Sequence, residues 1–112
     1  MTDHPKQVGR GRELFGAFAP KLAELTDDVL FEDVWNRPEL SPRDRSLITV
    51  SVLTAAGNTE QLASHLALAI KNGVTQEEHK EAITHVMLYA GWPRGMSAMA
   101  VARTVFERID VP

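Results

Sequence analysis

The stretch "SPRDRSLITVSVLTAAG", residues 41–57, decides how the whole chain is read. Ser41 stands where an N-cap belongs, and Pro42 takes the first helical position, where a missing N–H costs nothing. Asp44 places negative charge in the first turn, and Gly57 follows the last apolar residue as a stop. The spacing predicts a helix. Apolar and polar residues nowhere alternate in the manner of a strand, and glycines and prolines cut the rest into pieces of helical length. The chain therefore reads as all-α, with about six helices.

Working outward, "NTEQLASHLALAIKNG" (58–73) begins at Asn58 or Thr59 and closes on Lys71, Asn72 and Gly73, an ending that suits a left-handed cap. "TQEEHKEAITHVMLYAG" (75–91) opens with Thr75 and Glu78 at capping-box spacing, and "PRGMSAMAVARTVFERI" (93–109) closes the chain. Upstream, "DHPKQVGRGRELFGAF" (3–18) predicts a first helix weakened by Gly9, Gly11 and Gly16. "PKLAELTDDVLFEDVW" (20–35) predicts a second, with Pro20 in its first turn, and "NRPEL" (36–40) is a connector.

At 112 residues the chain is expected to form a single domain spanning 1–112, and its 44% hydrophobic and 24% charged residues are ordinary for a globular protein. A net charge of −3 supplies no general attraction to nucleic acid or to anionic membranes, so neither is expected as a partner. Zero cysteines exclude disulfides, thiolate metal sites and nucleophilic or redox thiols. "MTDHPKQVGR" lacks the apolar core of a signal peptide and no run reaches membrane-spanning length, which points to the cytoplasm. The last four helices are apolar nearly all round, more so than one small domain can hide. A homo-oligomer is expected, the alternative being a tightly packed monomeric bundle.

Two histidines carry the chemical interest. On a helical wheel, His65 lies at the edge of an apolar stripe with Leu62, Leu66 and Ala69 to one side and Gln61 to the other. His85 is placed alike, with Ala82, Val86 and Tyr89 to one side and Glu81 to the other. Each imidazole either lines a pocket or hydrogen-bonds a neighbouring helix and does nothing more. The short "NGV" turn is expected to bring the two helices together antiparallel, so that both rings share one pocket.

Arg37, Arg43 and Arg45 lie before or within the first turn of a helix, where the dipole disfavours cations. An anionic ligand would account for them, and Arg45 is best placed, with Thr49, Val52 and Ala56 following on its face. Pairing with Asp33, Glu39 or Asp44 is the alternative, and for Arg43 the better one. His79, between Glu78 and Lys80, reads as a solvated residue on a polar face, and His4 is terminal. "GRGRELFG" (9–16) follows no strand and lacks phosphate-loop spacing, Ser46 and Ser51 have no base at a fixed spacing, and no helix carries a ready-made metal triad. No metal and no cofactor is expected.

Taken together, "LSPRDRSLITVSVL", the histidine of "QLASHLALAIKNGVTQEE" and "EAITHVMLYAGWP" resemble the carboxymuconolactone decarboxylase family, over about Trp35 to Phe106. The resemblance implies an alkyl hydroperoxidase D-like helical bundle built on a core antiparallel helix pair, assembled as a trimer or hexamer. The peroxidase branch of that superfamily uses Cys-x-x-Cys followed four residues later by His. Here the histidine falls on His65 and the cysteines on Asn58 and Gln61, so peroxide reduction is not expected, and a supporting glutamate of that branch falls near Ser46. The decarboxylase branch needs no thiol, and the resemblance places Arg45, His65 and His85 at its pocket. Its reaction removes carbon dioxide from a carboxylated unsaturated lactone that serves as its own electron sink. His65 is expected to donate the proton, His85 with Tyr89 to face the oxyanion, and Arg45 and Arg37 to hold carboxylates. Gln61, Leu62 and Trp92, with Leu66 and Met96, are expected to complete the binding site, partly as an apolar wall. A relative that binds a small acidic metabolite, or isomerises or hydrolyses a lactone, is the alternative, and a scaffolding oligomer without a site is a third reading.

Overall fold

A computed structural model describes residues 9–111, and His4 lies outside them. The described residues are helical, without a strand: α1 (Arg10–Phe15), α2 (Pro20–Glu24), α3 (Pro42–Ala56), α4 (Thr59–Lys71), α5 (Gln76–Ala90) and α6 (Trp92–Asp110). They group into two compact units, one ending at Glu39 and the other beginning at Leu40.

In the first unit the expected second helix changes form. After α2 the chain widens into a π-helix, Leu25–Phe31, followed by a 3-10 turn at Val34–Asn36. Within the π-helix the buried Asp27 carboxylate accepts the backbone N–H of Gly11 at 2.8 Å and of Arg12 at 2.9 Å. These are open donors of α1, so the chain supplies its own anion to that helix end. Gly9 and Gly11 owe their identity to it: a Cβ would fall 2.5 Å from Asp27 Oδ1 at Gly9 and 2.9 Å at Gly11. The glycines that were expected only to weaken a helix admit a carboxylate. Arg12 completes the cluster with bonds of 2.9 and 2.8 Å to Asp28, and these pairs raise the guanidinium's basicity further.

In the second unit the capping signals act as expected. Ser41 Oγ accepts the Asp44 N–H at 3.1 Å, and Gly57 turns the chain in the left-handed region with φ 74°. Arg94 donates to the Ala56 carbonyl and so places a cation on the negative end of α3. Thr75 and Glu78 form the reciprocal capping box of α5, with bonds of 3.0 and 2.9 Å. Asn72 Nδ2 reaches Ser46 Oγ at 3.0 Å, which sets α4 antiparallel to α3. Gln76 meets Asp110 at 3.0 Å, which sets α6 antiparallel to α5. Arg43, at the start of α3, pairs with Glu78 at the start of α5, so these two helices run parallel.

The core of this unit is built from Val50, Leu62, Leu66, Ala69, Ile83, Ala98, Ala102 and Phe106, all buried. Three expectations change here. The helices α4 and α5 barely touch, because each packs instead on α3 and α6. Leu62 and Leu66, expected at an apolar pocket wall, are fully buried residues of the core. His79 is also fully buried, with its ring 5.6 Å from that of Phe106. The flanking Glu78 and Lys80 misdirect the sequence reading, since adjacent residues on a helix lie on different faces. The face of His79 is shared with Ile83, one turn on, and α6 covers it.

Candidate functional site

The parallel packing of α3 and α5 leaves a groove between them. One part, of about 460 Å³, is lined by Leu47 and Ser51 of α3 and by Glu78, Glu81, Ala82, His85 and Val86 of α5. It shares Ser51, His85 and Val86 with a second part of about 410 Å³, where Val52, Ala55, Tyr89 and Ala90 complete the walls. The groove runs from an acidic end to an apolar one, with His85 common to both parts.

Helical spacing explains the lining. Leu47, Ser51 and Ala55 follow one another at four-residue intervals along α3, and Glu81, His85 and Tyr89 do the same along α5. The small α3 side chains leave room for the larger α5 ones. The His85 and Tyr89 rings lie 5.1 Å apart at a tilt of 36°, a packed pair that fixes one side of the imidazole. Opposite, Ser51 Oγ donates to the Leu47 carbonyl at 2.8 Å, which leaves its lone pairs for a donor in the groove. At the acidic end Glu78 is bound to Arg43 and caps α5, and its carboxyl titrates below the ordinary range, chiefly through the Thr75 backbone N–H and then through Arg43.

Of the residues expected at the site, the groove joins His85 and Tyr89, while His65, Gln61 and Arg45 are not among its lining. His65 is half-buried on α4, and desolvation lowers its basicity. Gln61 and Trp92 are exposed, Trp92 to 61%. Arg45 is half-buried and donates through Nε to the Leu40 carbonyl at 3.2 Å. Arg37, in the first unit, pairs with Glu39 at 3.6 Å, and Arg43 pairs with Asp44 at 3.3 Å as well as with Glu78. Sequence reasoning passed over Ser51, Ala55 and Glu81 as site residues, and placed Val52 on the face of Arg45. The four-residue stripe on α3 was the available signal, but reading it required knowing that α3 faces α5. Among the described residues no group of three or more His, Asp or Glu is placed to hold a metal ion.

The model of the carboxymuconolactone decarboxylase family matches residues 20–104. The chain is 38% identical over 106 residues to a 4-carboxymuconolactone decarboxylase of Acinetobacter baylyi, covering 95% of this chain and 79% of that protein. It is 35% identical over 88 residues to a nitrosuccinic acid decarboxylase of Metarhizium robertsii, covering 78% of this chain and 62% of the relative. An uncharacterized 15.0 kDa protein of Paracoccus denitrificans is 26% identical over 117 residues, covering 89% of this chain and 87% of that protein. The family model and the bacterial decarboxylase both cover most of the chain, and with them the fold and the cysteine-free sequence agree: this protein belongs to the carboxymuconolactone decarboxylase family.

Proposed function

We propose that this protein decarboxylates a small carboxylated lactone or a related acid without an organic cofactor, using the groove between α3 and α5. The observation that carries the reading is His85, exposed between a polar and an apolar half of one groove, in a chain 38% identical to a 4-carboxymuconolactone decarboxylase. The bond from carbon to the leaving carboxylate breaks with its electron pair kept by the carbon, which passes it into the substrate's unsaturated carbonyl system. Carbon dioxide leaves, and a proton from the His85 imidazolium is delivered to carbon. The neutral ring then recovers its proton from water.

The leaving carboxylate belongs over Val52, Ala55 and Ala90, where loss of charge is favoured by the apolar walls. Glu81 would repel it from the other end. His85 is proposed as the proton donor in place of His65 because it lines the groove, whereas His65 does not and has its basicity lowered by desolvation. His65 suits a hydrogen-bonding role, so the tasks first expected of the two histidines are exchanged. Arg45 is proposed to hold a substrate carboxylate, the task a guanidinium fork performs best. The protein is proposed to work in the cytoplasm as a homo-oligomer, trimer or hexamer, which would cover the exposed Val52, Leu88, Trp92 and Met96.

The test is release of carbon dioxide from 4-carboxymuconolactone and from nitrosuccinic acid, beside a thermal-shift panel of lactones, aromatic acids and dicarboxylates. Turnover, or stabilisation confined to carboxylated lactones and acids, is expected. Stabilisation by such compounds without turnover would favour a binding protein, and a flat panel would defeat the reading. Light scattering tests the assembly, which a monomer at micromolar concentration would overturn.

A further inference from the structure

α5 carries three glutamates before His85, and they are not equivalent. Glu77 pairs with Lys80 at 2.7 Å. Glu78 is committed to Arg43 and to the Thr75 N–H. Glu81 has no cation within ion-pair distance among the described residues, is exposed, and lines the same opening as His85. It stands one turn before His85, the order in which a helical carboxylate best supports a cation four residues later. Tyr89, one turn after, packs against the imidazole from the other side.

We propose that Glu81 is the positioning residue of His85: by a change of rotamer its exposed side chain brings the carboxylate to the imidazolium and holds the ring's proton and orientation between turnovers, with Tyr89 as the opposite support. The charged groups around the ring are few. From α5 they are Glu78, already paired, and Glu81. From α3 the lining residues Leu47, Ser51, Val52 and Ala55 are uncharged, and Arg43 lies at the groove's end bound to Glu78. No residue of α6 lines the groove. Glu81 is therefore the one uncommitted charge on the opening that His85 lines. After proton delivery to carbon, the carboxylate favours return of a proton from water to the ring and gives up none itself, so the proton balance of the cycle is unchanged.

The catalytic part of this inference rests on the decarboxylase reading; the proposed contact between the two side chains does not. Two measurements on Glu81→Gln and Glu81→Asp separate them. Without substrate, carbethoxylation of His85 by diethyl pyrocarbonate, a reagent that attacks only the neutral imidazole, is followed by mass spectrometry in mildly acidic buffer. Glu81→Gln is expected to react about twofold faster than the unaltered protein, the factor typical of a helical pair at this spacing, and Glu81→Asp close to the original rate. An unchanged rate in Glu81→Gln overturns the proposal whatever the protein's activity. With 4-carboxymuconolactone, Glu81→Gln is expected to lower kcat about tenfold without raising KM, less than the loss of a proton-transferring group itself, and Glu81→Asp to restore most of it. A loss seen only in KM, or equal in both variants, overturns the positioning role. If the unaltered protein turns over no probe, the decarboxylase reading fails while the modification rates still decide whether Glu81 acts on His85.

Discussion

Two histidines six residues apart on α5 meet opposite fates. His85 opens onto the groove beside α3, whereas His79 is sealed beneath α6 against Phe106, with no hydrogen-bond partner at either ring nitrogen. Six residues on a helix turn the side chain through about 240°, which sets the two rings about 120° apart on different faces. The difference teaches that a histidine's role is set by the element across from it. His85 faces small residues that leave a space, and His79 faces an aromatic ring that fills one.

The largest effect expected from this contrast is on chemistry. His85→Gln should cost about 10²- to 10⁴-fold in turnover, the usual contribution of a general acid, with little change in melting temperature because the site is exposed. Next, Leu62→Ala is expected to cost about 2–5 kcal/mol of stability, measured by urea denaturation, as befits a fully buried core leucine. A mild loss of stability with a severe loss of ligand binding would return Leu62 to the pocket wall.

Acid should reveal the His79 side of the comparison. Burial lowers the folded-state pKa of His79 from the ordinary 6.5, an effect only partly offset by Glu78, and His65 is lowered by desolvation alike. The unfolded chain thus binds the extra protons, and stability present above about pH 6.5 falls as pH drops below it. Replacing His79 by Leu should flatten most of that fall in a series of melting curves, while His85→Gln should not. Equal acid sensitivity in His79→Leu and the unaltered protein would break the assignment. The smallest effect is at the cap: Thr75→Ala should cost about 1 kcal/mol through the lost N-cap. It should act on the His79 end of α5 and leave turnover at His85 unaltered.

The helices were legible wherever the signal was local. Ser41, Pro42 and Gly57 bound α3 as read, and the Thr75–Glu78 box starts α5, because caps depend on a few neighbouring residues. What depended on packing was not legible. The burial of His79, the core position of Leu62 and the separation of α4 from α5 all follow from which helix faces which. The π-helix of Leu25–Phe31 and the carboxylate at Gly9 and Gly11 are of the same kind, since Asp27 acts across 16 positions of sequence. At the candidate site, His85 and Tyr89 were found from their stripe on one helix. Ser51 and Glu81 became site residues only when α3 was set parallel to α5.

The central claim is that His85 works and His79 holds the fold, and one paired experiment tests it most directly. Carbon dioxide release from 4-carboxymuconolactone is measured for the unaltered protein, His85→Gln and His79→Leu at one temperature well below the melting temperature verified for each. The account predicts turnover in the unaltered protein, its loss in His85→Gln with melting unchanged, and its retention in His79→Leu. Full turnover in His85→Gln, with loss in a folded His79→Leu, would contradict it.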